Sequence, residues 1–489
     1  MATILVVSMF IYAAGMIVIG FWGYKKTGQG LTELFLAGRQ LTPLLLLFSL
    51  VFTQLSAFTF MGMVSAYYVH GPAFFILVTQ SAFVGLLMFL LGSKFWHMSR
   101  EYGYMNLTDY FSARFESPLM APIISIVMFL FSACYIAVQV MGAGLAFQGL
   151  SLGVINYNIG CFYLVILILI YTVSGGLRAV ALSDLVQGII MTVALYIAAV
   201  FIVGKGTGSI SNLIDFIVAS SPKHLEIPGP KGVAGYPFLI GLWITFAFAN
   251  FSYPWMIQRY MSAVSLKSLR ISAILFPIGV IVLFLPQYYI ALTGVMTESA
   301  IKNPDLLLPV MMSKYLHPAF QVIILFGILA AMMSTASSVV LNIGSLMTKD
   351  VFGKFIKDDA QATQLGRIMT IVFLSVTMAC LYVVPGNLVT ITTNMVTPGL
   401  AQMFPALIAA LFWKRANKYG VVSGVLAGVV VVAFAALAQK PTLWGWNPGI
   451  IGLLFNMALL IVVSYITPVP SGSVNELFGK QSKAQATIK

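Results

Sequence analysis

The feature that most constrains this chain is a series of apolar runs of about 20 residues, the length that an α-helix needs to cross a bilayer. Only 8% of the residues are charged, whereas soluble domains carry about 25%. The connections between the runs are too short for a soluble domain. The sequence therefore predicts an all-α polytopic membrane protein with thirteen spans, at 4–24, 43–66, 72–93, 120–149, 157–175, 183–204, 234–256, 271–294, 318–347, 368–384, 387–411, 420–438 and 448–466.

The distribution of cations along the chain predicts the orientation of these spans. If the N-terminus is outside, 20 of the 26 Lys and Arg residues fall in inside segments and 6 in outside segments. Cytoplasmic loops of membrane proteins carry just such an excess. We therefore expect an outside N-terminus and an inside C-terminus. The net charge of +13 then reflects topology and gives no reason to expect nucleic-acid binding.

The acidic residues and histidines bear on the chemistry of the membrane core. By the run boundaries, all 13 Asp and Glu residues fall in loops or at span edges, and the 4 histidines fall in loops. Proton-coupled carriers commonly use such groups inside the membrane, and the HExxH motif of zinc-dependent hydrolases is absent. The sequence thus argues against an enzyme and against a proton relay. Any ion bound deep in the protein is expected to be held by neutral oxygens.

Two spans carry polar clusters of the kind that interrupt transmembrane helices. In span two, Thr53, Gln54 and Ser56 lie within one turn, and in span seven Asn250 and Pro254 belong to the run ANFSYPWMIQ. A break of this kind can line a cavity with freed carbonyls, although such side chains can also simply hydrogen bond to neighbouring helices. The two clusters are five spans apart, which is the spacing of two inverted repeats that each begin with a broken helix.

Span nine contains the run ILAAMMSTASSVVLN, which is rich in hydroxyls. On a helix, Ala331, Ser334, Thr335 and Ser338 share one face, and Ser337 flanks it. One or two of these hydroxyls could bond back to the preceding carbonyls. Four together favour a site of neutral, hard oxygen ligands, and hard cations prefer oxygen. With no carboxylate in the predicted spans, we expect a monovalent cation, sodium, as the coupling ion.

Three motifs together resemble the sodium/solute symporter family, which includes carriers of glucose, proline, pantothenate and sialic acid. They are AGRQLT at 37–42, YTVSGGLRAVALSDLVQ at 171–187 and AAMMSTASS at 330–338. The resemblance implies a leucine-transporter-like fold of two inverted five-span repeats, with one extra N-terminal and two extra C-terminal spans. The expected segments are an extra span with its cytoplasmic linker (1–42), the first repeat (43–204), an extracellular loop (205–233), the second repeat (234–411), two additional spans (412–466) and a cytoplasmic tail (467–489).

The resemblance also implies ligands for sodium. The first site would use the carbonyls of Phe52, Leu55 and Ala331 with the hydroxyls of Ser334 and Thr335. Some members of the family bind a further sodium nearer the cytoplasm. The matching groups here are Ser334, Ser337, Ser338 and Asp184. Asp184 is also close in sequence to Arg178, so a structural ion pair is the alternative role for that carboxylate.

The substrate site is expected near the midplane, between spans two and seven. Proline carriers of the family have Asp where Gln54 stands and Trp where Phe58 stands, so the sequence departs from them at both positions. A site without carboxylates suits an anion, and half-helix N-termini can hold its carboxylate. The candidates to contact the substrate are Gln54, Ser56, Phe58, Tyr135, Gln139, Asn250, Trp255 and Gln258.

These inferences predict sodium-coupled symport of a monocarboxylate or a pantothenate-like anion by alternating access. A proline-type symporter is the alternative within the family, and a sodium-independent facilitator, a channel or a membrane sensor is the alternative outside it. The expected location is the bilayer of a bacterial inner (plasma) membrane, where the protein is expected to function as a monomer. The expected ligands are Na+ and a small organic solute.

Overall fold

A computed structural model describes residues 2–26, 31–172, 176–230 and 235–470 of the chain. In these ranges nine helices are long and apolar enough to cross a membrane. This confirms the all-α membrane architecture, while the count of thirteen spans and their orientation stay predictions. Gly175 of the Gly-Gly turn, Lys231 of the loop and residues 471–489 of the tail lie outside the described residues.

The N-terminal part begins with one helix and a linker, and the first expected repeat follows. A 3-10 turn at Ala37–Arg39 and another at Gly71–Phe75 join its helices, and the stretch Phe58–Gly62 is π-helical. The α-helices are α1 (Ala2–Lys26), α2 (Leu31–Leu36), α3 (Pro43–Phe52), α4 (Met63–His70), α5 (Ile76–Tyr102), α6 (Leu107–Arg114), α7 (Met120–Leu150), α8 (Tyr157–Thr172) and α9 (Leu177–Thr207).

The second half contains the other expected repeat and the final pair of helices. Its π-helical stretches are Met347–Val351 and Thr392–Val396, and its 3-10 turns are Pro222–Leu225, Pro304–Leu306 and Gly353–Phe355. The α-helices are α10 (Ile210–Ser220), α11 (Tyr236–Ser252), α12 (Pro254–Ser262), α13 (Leu266–Thr297), α14 (Leu307–Tyr315), α15 (Pro318–Leu346), α16 (Asp359–Val383), α17 (Leu388–Ile391), α18 (Thr397–Ala401), α19 (Met403–Phe412), α20 (Lys418–Leu437) and α21 (Pro448–Ile466).

Both polar clusters coincide with interruptions of a helix. α3 ends at Phe52, and helical structure resumes only at Ala57. α11 ends at Ser252, and Tyr253 has an extended backbone (φ −53°, ψ 128°) before α12 begins at Pro254. Proline supplies no N–H to continue the helical ladder. Each interruption leaves backbone groups outside regular helical bonding, in the interior of the protein.

α15 is the central helix of the fold and packs against α7, α8, α9 and α16. Side chains from Ile328 to Ile343 are all buried, so the hydroxyl run lies in the interior and not against lipid. α7 approaches the first interruption closely at Gly142, where an added Cβ would lie 2.5 Å from the Cβ of Ala57. The two helix breaks and the polar face of α15 are therefore close together at the centre of the molecule.

The two interrupted helices are also joined at the ends that the sequence places on the cytoplasmic side. The N–H of Leu41 donates to the carbonyl of Ser262 at 3.0 Å, and the N–H of Val264 donates to the carbonyl of Leu41 at 3.0 Å. Leu41 lies just before α3, and Ser262 ends α12. A backbone bridge therefore links the start of one half-helix to the end of the other.

Candidate functional site

The hydroxyl face of α15 contacts the break after α3. Oγ1 of Thr335 donates to the carbonyl of Leu55 at 2.7 Å and lies 3.3 Å from the carbonyl oxygen of Thr53. Oγ of Ser334 donates to the carbonyl of Phe52 at 3.4 Å. Four of the five groups that the family resemblance implies for the first sodium thus form two hydrogen-bonded pairs between α15 and the break.

Ala331, the fifth implied ligand, lies one turn before Thr335 on α15 and is fully buried. The set offers carbonyl and hydroxyl oxygens only, which are hard and uncharged, and such oxygens suit a cation of low charge density. The described residues hold no group of three or more His, Cys, Asp or Glu side chains that could bind a metal. The chemistry of the donors therefore fits Na+ better than a transition metal.

A buried ion pair below this cluster corrects two expectations from the sequence. Oδ2 of Asp184 lies 3.2 Å from Nη2 of Arg259, and both side chains are fully buried. α9 begins at Leu177, so Asp184 lies two turns inside a helix and not at a span edge. Arg178 instead pairs with Glu33 at 3.0 Å. Positions six apart on a helix point in different directions, which explains why Arg178 and Asp184 do not meet.

The guanidinium of Arg259 connects four helices. Its Nε donates to Oγ of Ser49 on α3 at 2.8 Å, and its Nη2 donates to Oγ of Ser338 on α15 at 2.6 Å. Ser49 in turn donates to Oδ2 of Asp184 on α9 at 2.7 Å. Sequence reasoning assigned Arg259 to a cytoplasmic loop. The one local signal was its polar neighbour Gln258, which the structure also buries.

The groups considered for a second sodium are partly engaged by this network. Ser338 and Asp184 both bind Arg259, while Ser337 donates to the carbonyl of Ser334 at 3.2 Å. The back-bonding alternative thus holds for Ser337. Oδ1 of Asp184 has no hydrogen bond in the part of the chain that the structure describes. A fixed cation already balances the charge of this carboxylate.

An internal cavity of about 40 Å³ lies between the two broken helices. Five of the predicted substrate contacts line it: Gln54, Ser56, Phe58, Tyr135 and Asn250. None of the described residues that line it is charged. The remaining lining residues come mainly from α5, α13 and the segment around α18, and they are Thr59, Leu77, Gln80, Phe246, Tyr253, Phe276, Val280, Phe284, Thr392 and Thr397.

The other three predicted substrate contacts do not line the cavity. Gln139 accepts the N–H of Ala57 at 2.7 Å through its Oε1, and so caps the half-helix that follows the break. Trp255 stacks on Tyr135 with ring centroids 5.7 Å apart and an angle of 9° between the rings. Gln258 is 1% exposed. Trp255 therefore supports Tyr135, which lines the cavity, and Gln139 holds Ala57, which lies between the lining residues Ser56 and Phe58. Gln258 has neither relation to the cavity.

The hydroxyls of Thr392 and Thr397 were missed by sequence reasoning. They belong to the run TITTNMVTP in the eleventh predicted span, which carries as many hydroxyls as the run in span nine. Part of this run is π-helical, from Thr392 to Val396, and π-helical turns are frequent at functional sites. A count of hydroxyls in each span, which identified the run on α15, would also have identified this wall of the cavity.

Asp305 holds the short helix that leads into this wall. Its Oδ2 accepts the N–H of Leu388, the first residue of α17, at 2.9 Å, and the side chain is 1% exposed. A carboxylate is favoured at a helix N-terminus. Burial raises the pKa of Asp305, while bonds from Leu388 and the Ser65 hydroxyl act in the opposite direction. The residue lies in the connection between α13 and α14.

The two helix breaks, the hydroxyl cluster and the cavity between the breaks are arranged as in secondary transporters of the leucine-transporter-like fold. A substrate-bound, outward-open structure of a Na+-coupled sialic acid symporter superposes with a TM-score of 0.79 at 20% sequence identity, covering 96% of this chain and 98% of that one. The nucleobase-cation symporter Mhp1 superposes with a TM-score of 0.57 at 12% identity, covering 91% of this chain and 98% of that one. These likenesses show the fold.

The chain belongs to the sodium:solute symporter family, whose sequence model matches residues 34–428. It is 26% identical over 495 residues to the osmoregulated proline transporter OpuE of Bacillus subtilis (strain 168), covering 98% of each chain. It is 27% identical over 461 residues to the sodium/pantothenate symporter of Escherichia coli (strain K12), covering 92% of this chain and 94% of that one. The protein is therefore an integral plasma-membrane protein that couples sodium to the symport of a small solute.

Proposed function

We propose that this symporter moves a small monocarboxylate together with sodium, and that a pantothenate-like anion is the larger candidate. The observation that carries the proposal is the cavity between the broken helices, which has no charged lining and a volume of about 40 Å³. A cavity of this size holds only a small solute. A solute of two or three carbons matches that space better than a larger one, which would require the cavity to widen.

Sodium is proposed to bind where α15 contacts the break after α3. The ligands are the carbonyls of Phe52, Leu55 and Ala331 and the hydroxyls of Ser334 and Thr335. Support comes from the contacts that already join four of these groups, at distances of 2.7 to 3.4 Å. A cation there replaces hydroxyl-to-carbonyl hydrogen bonds with ion–oxygen contacts and holds the break against α15.

Coupling follows from the geometry of the break. Phe52 and Leu55 would bind sodium through their carbonyls, while Gln54 and Ser56 in the same stretch line the solute cavity. Sodium that orders this stretch also orders the solute site, so each ligand raises the affinity for the other by the same factor. Separation of α3 from α15 during alternating access then dismantles both sites together.

We propose one sodium per solute. A second cation beside Asp184 would join the guanidinium of Arg259, which lies 3.2 Å from the same carboxylate, and would leave a net positive charge buried in the membrane core. Such a charge is costly. One sodium with one monoanion makes the cycle electroneutral.

The decisive experiment is uptake into proteoliposomes of pyruvate, lactate, acetate, pantothenate and proline, with and without an inward sodium gradient. We expect sodium-dependent uptake of a short monocarboxylate. Sodium-dependent uptake of proline alone would establish the alternative that the name of the Bacillus subtilis relative suggests. Uptake of every solute at the same rate with and without the sodium gradient would overturn sodium coupling in this chain.

A further inference from the structure

The polar face of α15 continues beyond the candidate sodium site, towards the end that the sequence places in the cytoplasm. Thr335, Ser338, Asn342 and Ser345 follow one another at spacings of three, four and three residues, so they share one face. All four are buried. Ten residues of helix span about 15 Å. The face therefore leads from the midplane through most of one leaflet.

Two members of this face have polar partners on other elements. Oγ of Ser338 accepts from Nη2 of Arg259 at 2.6 Å. Oγ of Ser345 accepts from Nδ2 of Asn106 at 3.1 Å. The contacts come from α12 and from the start of α6, so these two segments face the stripe. Beyond Ser345, Lys349 pairs with Asp109 at 2.6 Å, and that lysine is partly exposed.

Asn342 lies between these two contacts and has no partner of its own. Its side chain is fully buried, and neither its amide nitrogen nor its amide oxygen makes a hydrogen bond in the described ranges. Gln258 lies on α12, a helix that packs against α15. Its side chain is also buried, and its amide nitrogen and oxygen also have no hydrogen bond in the described ranges. Buried amides are nearly always hydrogen bonded. These two amides, on helices that pack against each other and next to the polar face that starts at the candidate sodium site, have oxygens free to accept an ion or its water.

We propose that Asn342 and Gln258 form a transient, neutral binding step through which sodium and its water leave for the cytoplasm. The inference rests on the proposed sodium site and deepens it. Amide oxygens bind Na+ without the strong attraction of a carboxylate, and an ion moves on only if each step holds it weakly. Arg259 beside Ser338 closes the upper end of this route until α12 moves away.

The test uses 22Na+ itself as the probe and needs no identified solute. Equilibrium binding to the purified full-length protein and dissociation after a chase with unlabelled Na+ are measured for Asn342→Leu and Gln258→Leu. Leucine has a similar volume and removes an unpaired amide, so these variants are expected to unfold at the wild-type temperature or above it. The matched control is Gln287→Leu on α13, another fully buried glutamine whose amide has no partner in the described residues.

We expect both variants to keep the dissociation constant for 22Na+ within twofold and to slow dissociation at least fivefold. Asn342→Ser, which keeps an oxygen, and Gln287→Leu are expected to dissociate at the wild-type rate. Dissociation of 22Na+ from Asn342→Leu at the wild-type rate would overturn the proposal. If Asn342→Leu does not fold, the dissociation rate of Gln258→Leu decides in the same way. Failure of the wild-type protein to bind 22Na+ saturably would instead overturn the proposed sodium site.

Discussion

Nη2 of Arg259 lies 3.2 Å from Oδ2 of Asp184, and no part of either side chain is exposed. The pair joins α12, one half of a broken helix, to the continuous helix α9. Ser49 extends the link to α3 through bonds of 2.7 and 2.8 Å. Both half-helices on this side of the breaks are therefore held to the rest of the protein by a single charged cluster.

Removing one partner of this pair is expected to destabilise the protein by about 3–5 kcal/mol, because an uncompensated charge stays buried. Arg259→Leu and Asp184→Leu should each lower the melting temperature of the purified protein. The double variant should recover most of the loss, since neither charge then remains. Melting temperatures of all three variants in detergent check this, and additive losses in the double variant would contradict it.

Thr335→Ala is expected to weaken sodium binding about tenfold, equivalent to about 1.4 kcal/mol, because the hydroxyl between the Leu55 and Thr53 carbonyls is lost. Thr335→Ser keeps the oxygen and should bind sodium nearly as the wild type does. Isothermal titration with NaCl measures both. Thr377→Ala on α16 is the matched control, since it removes another fully buried hydroxyl away from the break. Equal affinities for wild type and Thr335→Ala would refute the assignment.

Gln54→Asp is expected to raise the KM for a monocarboxylate at least tenfold, because it places a negative charge in a cavity that has no charged lining. Like charges repel strongly where water is scarce. Gln54→Asn, which is neutral and has the same length as Asp, separates the effect of charge from that of size. Initial rates of uptake over a range of solute concentrations give the KM. A lower KM in the aspartate variant would mean that the solute carries a positive charge.

Uptake of a monocarboxylate is expected not to depend on membrane potential if one sodium accompanies it. A second sodium would add about 2.3 kcal/mol per 100 mV to the driving force. The measurement compares uptake at a fixed sodium gradient in proteoliposomes clamped at 0 and −100 mV with potassium and valinomycin. Stimulation by the negative potential would show that a further cation binds despite Arg259.

Asp305 is expected to give the protein a stability component that grows as the pH falls. Its pKa is raised in the folded protein, so the folded state holds a proton that the unfolded chain, with an ordinary carboxyl pKa near 3.9, releases more readily. This component is fully present below the unfolded pKa and is lost as the pH rises through the folded pKa. Asp305→Asn removes it while keeping an acceptor for Leu388.

Melting temperatures of wild type and Asp305→Asn between pH 4 and pH 8 check the direction of this effect. The melting temperature of the wild type should rise relative to that of Asp305→Asn as the pH is lowered. A difference that stays constant across the range would show that Asp305 keeps one protonation state in folded and unfolded chains.

The sequence was most informative where a pattern was local. Apolar runs revealed the helices, and Pro254 marked the break at Tyr253 because its effect on the backbone acts within one turn. The face shared by Ser334 and Thr335 followed from helical periodicity alone. Their contact with Phe52 and Leu55 joins elements 280 residues apart or more, and only the family resemblance anticipated it.

Long-range pairing of charges was beyond the sequence. Arg259 is 75 residues from Asp184, while Arg178 and Lys-rich loops were nearer in the chain. A charge also tends to end an apolar run, which placed Arg259 in a loop and Asp184 at the edge of a span. The cavity wall at Thr392 was missed for a different reason, since none of the three family motifs lies in its span.

The backbone bridge formed by Leu41, Ser262 and Val264 couples the movements of two segments that are far apart in the chain. Its two hydrogen bonds are made entirely by main-chain atoms, so exchange for any residue other than proline at these positions leaves the donors and acceptors in place and cannot break it. Proline at 41 or 264 can, because it lacks the donor. An inward tilt of α3 must therefore carry the end of α12 with it or rupture both bonds at once. The first half of one broken helix, α3, and the second half of the other, α12, therefore move as one part, although more than 200 residues separate them in the chain.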